Sequence, residues 1–371
     1  MSSYTSLTDA EIQQIFDKKI KPELFKNSVT TTKEPKAIFL AGQPGAGKTD
    51  LADITHLELK KNSVLIDIDH LRQFHPSIKT VKDQYDLDGD TRKFRNLVIA
   101  ECVKNKYNTV FDGTLGGNMK YIEADMMQMK NEGFTVKISV LAVNDSISKL
   151  GFISRFEEQV LKTGTGRNVD LSYHNEIYKN IPNNITEAVG KKIVTEMNIY
   201  KKNQDTRKTE LIKTYGSETF KLAKDIPLVD FYKERSRDLS FSEKKALGEW
   251  YEKTIRTAIK NNSNYEQIKN AIVSDDPRLN TQQKNAIVSF KEIDYKKIIN
   301  DEFHIAFKNG KLKTVDTLIK IGADISTLNK EETIHKLEPK LKQEMLNTIS
   351  VALKERTKLD NLNEKNIKLK L

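Results

Sequence analysis

Short apolar runs alternate with longer stretches of helical periodicity through roughly the first 205 residues of the chain. The apolar runs have the lengths typical of buried strands, and they lie at 37–41, 64–68, 109–111, 136–143 and 196–200. Helices are predicted between them at 49–60, 91–105, 119–132 and 147–161, and an earlier helix begins at a capping box formed by Thr8 and Glu11. This alternation predicts an α/β fold with a mostly parallel sheet and helices on both faces.

The pattern changes beyond about residue 205, where strand signals fade and helical periodicity continues. A helix is predicted at 246–259, and a Lys-rich helical tail is predicted from Leu337 onward. Between them, residues 301–325 resemble one ankyrin repeat, which cannot bury its own face and must pack on neighbouring helices. We therefore divide the chain into an α/β domain and an all-α C-terminal region, with predicted bounds 1–225, 226–300 and 301–371.

The first predicted strand is followed by Gly42-Gln43-Pro44-Gly45-Ala46-Gly47-Lys48-Thr49, which has the G-x-x-x-x-G-K-[ST] pattern of a loop that binds nucleoside triphosphates. Its glycines let the backbone turn tightly and bring N–H groups close to phosphate oxygens. Lys48 supplies positive charge to the outer phosphates, and the Thr49 hydroxyl is a ligand for Mg²⁺. We call residues 42–49 the P-loop and predict that, with Asp50, they bind ATP and Mg²⁺ in a P-loop kinase three-layer fold.

Carboxylates follow the second and third predicted strands, where parallel sheets bind their ligands. Asp67 and Asp69 lie two residues apart, which predicts that they share one strand face. One can help to hold Mg²⁺ through water, and the other can accept a proton from an attacking hydroxyl, with Asp69 the stronger catalytic candidate. The alternative is a helix cap for Leu71 onward. Asp112 and Thr114 suit substrate hydrogen bonding, and the alternative for them is an ordinary turn.

Two arginines are candidates for stabilising a phosphate during its transfer. Arg155 lies on a predicted helix, and Arg167 follows a glycine-containing loop that could close over a ligand. Guanidinium groups stabilise the charge that spreads over a moving phosphoryl group. Without other information, a surface salt bridge is the simpler interpretation for either arginine.

The chain carries 62 Lys and Arg residues against 52 Asp and Glu residues, a net charge of +10. Nucleic acid, an acidic partner or a phosphorylated substrate would each suit that charge. The lysines are spread along the chain, however, so we favour a solvated basic surface. No stacking patch of aromatic and basic residues is visible, which argues against nucleic acid as a partner.

Cellular location is constrained only by what the sequence lacks. Cys102 is the single cysteine, which excludes an intrachain disulfide and a zinc site built on Cys pairs. The apolar runs are far shorter than a membrane span, and residues 1–6 show no cleavable signal. We therefore expect a cytoplasmic protein with no membrane partner, or an effector delivered into another cell without a cleavable signal.

The ordered set of motifs resembles the zeta toxins of toxin–antitoxin systems over roughly residues 5–205. The stretches that carry this resemblance are the P-loop, Leu65-Ile66-Asp67-Ile68-Asp69, Phe74-His75-Pro76, Asp112-Gly113-Thr114, Gly151-Phe152-Ile153-Ser154-Arg155-Phe156-Glu157, Arg167 and Asn180-Ile181-Pro182-Asn183-Asn184. The P-loop alone is shared by many kinases, whereas the ordered set is much more specific.

Zeta toxins are P-loop kinases that phosphorylate a sugar hydroxyl of UDP-N-acetylglucosamine, and the resemblance implies that activity here. It implies that Lys48 and Thr49 bind ATP phosphates and Mg²⁺, that Asp69 is the catalytic base, and that Arg155 and Arg167 clamp the phosphate. Substrate contacts are expected at Asp67, Asp69, His75, Asp112 and Thr114. The family usually has glutamate where this chain has Asp112, and this departure leaves the substrate open.

The leading hypothesis is therefore an ATP-dependent kinase of a nucleotide sugar, acting as a toxin or effector, with a regulatory or partner-binding C-terminal region. One alternative is an interaction protein controlled by a nucleotide, in which the C-terminal region binds a partner. A kinase of another nucleotide such as NAD, or of a nucleic-acid end, is a further alternative.

Overall fold

The structure is a computed structural model of the 371-residue chain, and it describes residues 5–26, 30–79, 84–166, 170–216, 218, 220, 226–291, 293–327 and 338–368. The chain divides into two compact units. The first unit comprises residues 1–151 and 169–238, and the second comprises residues 152–168 and 239–371. The bounds 1–225, 226–300 and 301–371 stay a prediction.

Within the described residues, the first unit is built on a six-stranded sheet with the strand order β2-β3-β1-β4-β5-β6. The strands are β1 Lys36–Ala41, β2 Val64–Asp67, β3 Thr109–Asp112, β4 Thr135–Leu141, β5 Glu196–Lys202 and β6 Thr209–Gly216. The first five strands are parallel, and β6 runs antiparallel to β5. Since β2, β3 and β1 are parallel neighbours, their carboxyl ends meet at one end of the sheet.

Helices surround this sheet. They are α1 Asp9–Ile15, α2 Lys21–Leu24, α3 Lys48–Glu58, α4 Ile68–Arg72, α5 Asp88–Asn105, α6 Met119–Asn131, α7 Asp145–Thr163, α8 Leu171–Gly190 and α9 Ile226–Ser236. A π-helical turn, Phe16–Ile20, joins α1 to α2, and a 3₁₀ turn, Gln84–Leu87, precedes α5. The predicted capping box is present at the start of α1, where the Thr8 and Glu11 side chains each accept the other residue's backbone N–H.

The core of the first unit explains why its strands appear as unbroken apolar runs. Strand β1 is buried at every position from Ala37 to Ala41, as expected for a parallel strand covered on both faces. The rings of Phe39 and Phe111, on neighbouring strands, stack with their centroids 4.3 Å apart. Burial of each large apolar side chain contributes roughly 1.5–3 kcal/mol to folding.

The predicted α/β fold is confirmed, but the sequence pattern misses β6 and α8. Strand β6 lies at the edge of the sheet, where its side chains are mostly exposed or half-buried, so it lacks an apolar signature. Helix α8 contains Pro182, and residues of low helix propensity flank it. It forms because Ile177, Ile181 and Ile185 bury one face against the core.

Within its described residues, the second unit consists of helices joined by turns and irregular connections, with a 3₁₀ turn at Ile325–Thr327. Besides the part of α7 that follows Gly151, it contains α10 Phe241–Lys260, α11 Tyr265–Ile272, α12 Thr281–Lys284, α13 Ala286–Phe290, α14 Tyr295–Lys308, α15 Leu312–Lys320 and α16 Pro339–Lys368. The predicted all-α C-terminal region is therefore confirmed. Among the described helices of the chain, none combines the length and apolar character that crossing a membrane requires.

Within the second unit, α7 is fastened to α10 and the turn that follows it. Glu157 on α7 is buried, and its Oε2 atom accepts hydrogen bonds from Asn261 Nδ2 at 2.7 Å and from Ser263 Oγ at 3.0 Å. Ser154 lies one turn before Glu157 on α7, and its Oγ atom accepts a hydrogen bond from Trp250 Nε1 on α10 at 3.0 Å. These contacts fix the stretch of α7 that carries Arg155.

The ankyrin-like segment forms two helices, α14 and α15, joined at Asn309 and Gly310. Gly310 has a left-handed φ of +65°, and a Cβ there would lie 2.8 Å from Leu341 Cδ2 on α16. After α15, the backbone oxygen of Ala323 accepts a hydrogen bond from Arg356 on α16 at 3.2 Å. The helix pair therefore packs on the tail helix, as a single repeat requires. Its identity as an ankyrin repeat stays a prediction.

Candidate active site

The P-loop connects β1 to α3 and has the backbone geometry of an anion site. Gly45 and Gly47 adopt left-handed φ values of +78° and +93°, which residues with a side chain rarely adopt. Gly47 caps α3, and the N–H groups at such a helix N-terminus favour a bound phosphate. The Gly42 N–H donates to the backbone oxygen of Thr114 at 3.1 Å, which joins the loop to the segment after β3. The residues present therefore fit a nucleoside triphosphate.

Gly151 on α7 lies directly against the P-loop. A Cβ at this position would be 2.3 Å from the backbone oxygen of Gly45, a separation that real Cβ atoms do not show. Only glycine therefore allows α7 to approach the loop this closely. Gly151 begins one of the stretches that carry the family resemblance, and the structure supplies a steric reason for it.

Lys48 and Thr49 begin α3 in positions that suit their predicted roles. Lys48 Nζ donates to the backbone oxygens of Gly42 at 2.9 Å and Gln43 at 3.4 Å, so its charge lies over the loop. Thr49 is exposed in the first turn of α3. No group of three or more His, Cys, Asp or Glu residues in the described part of the chain could hold a metal. A Mg²⁺ ion bound with nucleotide phosphates needs only one or two protein oxygens, so Thr49 fits that role.

The predicted placement of Asp67 and Asp69 on one strand face is wrong. Strand β2 ends at Asp67, and Asp69 lies in the first turn of α4. Asp67 Oδ1 accepts the backbone N–H of Asp69 at 2.8 Å, so Asp67 is the N-cap of α4. The cap ends the strand because it satisfies a helix N–H group that would otherwise have no partner. Asp67 therefore caps a helix that begins at Ile68, earlier than Leu71, and its contact with substrate stays a prediction.

The carboxylates nevertheless meet at the end of the sheet. Asp112 ends β3 and pairs in register with Asp67 on β2. Burial raises the pKa of Asp112 to about 6; the charge of Lys48 opposes this shift, and the charges of Asp67 and Asp69 add to it. The structure therefore places Asp112 within electrostatic range of the P-loop lysine and of the other two carboxylates.

Arg72 holds Asp69 in place, and the sequence analysis does not single it out. Its guanidinium donates to Asp69 Oδ1 at 2.6 Å and to Asp88 Oδ1 at 2.7 Å, and it lies 5.3 Å from the centroid of the Tyr85 ring. The Arg72 side chain is 5% exposed, whereas that of Asp69 is 43% exposed and accessible to a substrate. The available sequence signal was the i,i+3 spacing of Asp69 and Arg72 on a short helix.

The segment after Asp112 is fastened to α8. Asn184 Nδ2 donates to the backbone oxygens of Leu115 and Gly117, both at 2.9 Å, and Asn180 Nδ2 donates to that of Gly116 at 3.2 Å. A Cβ on Gly116 would lie 2.6 Å from the backbone oxygen of Ile177, so only glycine fits there. The two asparagines of the family motif therefore position the loop that carries Thr114.

His75 lies away from solvent in this structure. Its side chain is fully buried, and Nε2 lies 3.4 Å from Asp90 Oδ2. Nδ1 accepts the backbone N–H of Ser77 at 3.1 Å, which places the proton on Nε2 facing Asp90. Asp90 also accepts hydrogen bonds from Ser6 Oγ at 2.9 Å and the Leu7 N–H at 2.8 Å. His75 therefore helps to anchor the start of the chain, and its contact with substrate stays a prediction.

Lys202 is a further cation beside the P-loop, and Arg207 lies within electrostatic range of it. Asp50, in the first turn of α3, forms an ion pair with Lys202 at the end of β5. A Cβ on Gly47 would lie 3.7 Å from Lys202 Nζ. Burial lowers the pKa of Lys202, and the nearby charge of Arg207 lowers it further. The sequence analysis predicts an ATP contact for Asp50 but does not single out Lys202 or Arg207.

The two predicted phosphate-clamping arginines are placed differently. Arg155 belongs to the second unit, on the stretch of α7 fixed by Ser154 and Glu157. Arg167 lies outside the described residues. The role of each stays a prediction.

Comparison with known proteins identifies several relatives of this chain. The Zeta toxin family model matches residues 22–214. The chain is similar to the toxin PezT of Streptococcus pneumoniae, with 28% identity over 207 residues, 52% of this chain and 81% of that protein. It is also similar to toxin zeta of Streptococcus agalactiae, with 28% identity over 225 residues, 58% of this chain and 75% of that protein.

A solved structure from the PezAT chromosomal toxin–antitoxin system of Streptococcus pneumoniae shares the fold. It aligns with a TM-score of 0.55 at 22% identity, over 67% of this chain and 96% of that chain. The family match contains the P-loop, the three carboxylates, Arg155 and Arg167, and it ends before α9.

Proposed function

Because the chain belongs to the zeta toxin family, a family of ATP-using kinase toxins, we propose that it transfers the γ-phosphoryl group of ATP to a hydroxyl of a nucleotide sugar. UDP-N-acetylglucosamine is the acceptor to test first. In this proposal the protein acts as a toxin or effector, with ATP and Mg²⁺ as its cofactors.

One observation carries the proposal. Asp112 lies within electrostatic range of Lys48, Asp67 and Asp69, and burial raises its pKa to about 6. A perturbed carboxylate beside a phosphate loop is typical of sites for proton and phosphoryl transfer. A P-loop that only sensed a nucleotide would not need acceptor-side carboxylates next to its lysine.

The side chains divide the reaction between them. MgATP supplies the transferable phosphoryl group when it is bound. Lys48 neutralises charge on the outer phosphates, and Thr49 provides an oxygen for Mg²⁺. Asp69, whose carboxylate Arg72 holds in place, accepts the proton of the acceptor hydroxyl.

The acceptor is positioned by the loop after β3. Asp112 and Thr114 form hydrogen bonds to the acceptor, and the shorter Asp112 side chain selects among acceptors differently from the glutamate usual in the family. Arg155 and Arg167 stabilise charge on the transferring phosphate, a role supported by the family resemblance.

The test is mass spectrometry of metabolites after the full chain has been incubated with MgATP and a cell extract. UDP-N-acetylglucosamine and NAD are then tested separately as purified acceptors. A product heavier by one phosphate identifies the acceptor. Nucleotide binding without any phosphorylated product would favour the alternative of an interaction protein controlled by a nucleotide.

Two variants test the mechanism once the acceptor is known. Lys48→Ala and Asp69→Asn should each lower the turnover by about a hundredfold or more, since each removes a group that acts on the transition state. Asp17→Asn is the matched control, because Asp17 is an exposed carboxylate that accepts a hydrogen bond from Gln13 outside the site. Near-wild-type turnover by Asp69→Asn would show that the assigned base is wrong.

We further propose that the C-terminal region either inhibits the kinase in cis or binds a protein partner. One relative of known structure comes from a toxin–antitoxin system. The partner to test first is therefore a protein that neutralises the toxin. Toxicity is compared when the full chain is expressed alone and when it is expressed together with a candidate partner. Inhibition in cis makes the full chain harmless without any partner.

A further inference from the structure

The second residue of the P-loop is anchored by its side chain. Gln43 has no exposed surface. Its Nε2 atom donates to the backbone oxygen of Val143 at 2.9 Å and to Ser148 Oγ at 3.0 Å. Its Oε1 atom accepts a hydrogen bond from Arg235 Nη2 at 3.1 Å. Both ends of the amide are therefore held, which fixes the orientation of the side chain.

Arg235 is itself rigidly placed. It lies on α9 and is 1% exposed. Its Nη1 atom donates to the backbone oxygen of Tyr178 at 3.0 Å. The guanidinium carbon lies 3.9 Å from the centroid of the Tyr178 ring and 4.1 Å from that of the Phe231 ring. Stacking on two rings leaves the guanidinium little freedom, so its hydrogen bond to Gln43 is a fixed contact.

The backbone of Gln43 connects this anchor to the nucleotide site. Its carbonyl oxygen accepts the N–H of Ala46 at 3.1 Å and lies 3.4 Å from Lys48 Nζ, which donates to it. Movement of Gln43 would therefore shift the turn of the P-loop and one of the oxygens that hold Lys48. Small displacements of this kind matter because a phosphate cradle depends on the direction of its N–H groups.

The anchor comes from outside the part of the chain that matches the family model. That match ends at residue 214, whereas α9 comprises Ile226–Ser236. Helix α9 is the last helix of the first unit, and the second unit resumes at residue 239. Helix α9 therefore lies outside the residues that the family model matches, and its Arg235 contacts the P-loop through Gln43.

We propose that Arg235 is a positioning residue for the P-loop, which holds Gln43 so that the loop is preorganised for the phosphates of ATP. The inference rests on the proposed function in that MgATP is taken as the ligand. Arg235 does not touch the nucleotide in this scheme. The nucleotide affinity of this protein would then depend on a helix that the family match does not include.

The test uses the 371-residue chain and five variants, of which Arg235→Lys is the conservative one. Arg235→Met removes the hydrogen-bonding group, Gln43→Met removes the amide, and a third variant carries both changes. Arg237→Met is the matched control, because Arg237 lies two residues away and its Nε donates to Glu234 at 2.7 Å. The measurements are calorimetric binding of MgATP and hydrogen–deuterium exchange of the amides of residues 42–49 without nucleotide.

We expect Arg235→Met to weaken MgATP binding by about tenfold, equivalent to about 1.4 kcal/mol, and to increase amide exchange in the P-loop. Gln43→Met should act in the same direction, and the double variant should be no weaker than the more affected single variant, because both act through one contact. Arg237→Met should bind within twofold of wild type. Arg235→Lys should recover part of the exchange protection, since an ammonium can still donate to Gln43.

Three results would overturn the inference. The first is wild-type affinity and exchange in Arg235→Met, and the second is a lowered melting temperature with both of those readouts unchanged. The third is an additive double variant, which would show that Gln43 and Arg235 act separately. If Arg235→Met does not fold, the MgATP affinity and the P-loop amide exchange of Gln43→Met alone decide whether the inference holds. If wild type and Arg237→Met fail to bind MgATP, the proposed function fails, and P-loop exchange still tests the anchor.

Discussion

In the first unit, the residues assigned to catalysis follow neighbouring strands of a parallel sheet, and strand order brings them together. In the second unit, Arg155 lies on a helix whose place is set by buried polar contacts at Glu157 and Ser154. The first arrangement tolerates sequence change between the motifs, because register alone aligns the strand ends. The second depends on a few side chains more than 90 residues away along the chain. The comparison teaches that strand register places the carboxylates of the first unit, whereas side-chain contacts inside the second unit place Arg155.

Removing Glu157 tests that dependence and should have the largest effect. Glu157→Ala deletes the buried acceptor of two hydrogen bonds and leaves the half-buried donors of Asn261 and Ser263 without it. We expect a loss of about 3 kcal/mol in the unfolding free energy and, if Arg155 is required, at least tenfold lower kinase activity. Chemical denaturation and product formation measure the two effects.

The neighbouring Glu158 supplies the control for that variant. It pairs with Lys253 at 2.8 Å on the surface, and such pairs contribute only about 0–1 kcal/mol. Glu158→Ala should therefore leave stability and activity almost unchanged. Equal effects of the two variants, or higher activity in Glu157→Ala, would argue that the second unit restrains the kinase rather than supporting it.

Asp112 tests the electrostatics of the first unit. Its pKa in the folded protein is about 6, above its ordinary value of 3.8, because burial disfavours the charged form. The folded state therefore binds the extra proton between about pH 4 and 6, so stability falls as pH rises through that window. Above pH 6 the full penalty, about 3 kcal/mol, destabilises the fold.

Asp112→Asn should thus be more stable than wild type above pH 6 and equal to it below about pH 4. Thermal unfolding across this range measures the difference, with Asp53→Asn on the exposed face of α3 as the control for removing one negative charge. Kinase activity should fall at the same time, because the acceptor loses a charged contact. A stability difference that does not depend on pH would contradict the assigned burial effect.

Asn184 tests how the acceptor loop is held, with the smallest expected effect. Asn184→Ala removes the donors to Leu115 and Gly117 and should cost about 1 kcal/mol of stability. It should raise the KM for the acceptor several-fold while the KM for ATP changes little. The exposed neighbour Asn183, changed to Ala, is the control. Equal changes in both KM values would show that α8 supports the whole site rather than this loop.

Local patterns in the sequence were sufficient for much of the first unit. Apolar runs predicted five of the strands, and the P-loop pattern located the phosphate site, because a cradle of N–H groups needs glycines at fixed spacing. Edge strand β6 and helix α8 lacked such patterns, since packing on the sheet stabilises them rather than local propensity. Asp69 was misplaced on the strand because the end of a strand and the start of a short helix look alike until the helix that follows is known.

Composition, periodicity and contiguous motifs determined the fold class and the family resemblance and made Lys48, Thr49, Asp69 and Asp112 candidate site residues, because each depends on neighbours close in sequence. Only the tertiary structure decided that Arg72 holds Asp69, that His75 is buried beside Asp90, and that Arg235 reaches Gln43 from α9. Gln43 and Arg235 stand 192 positions apart. Contacts over that separation follow from packing, which one sequence does not display.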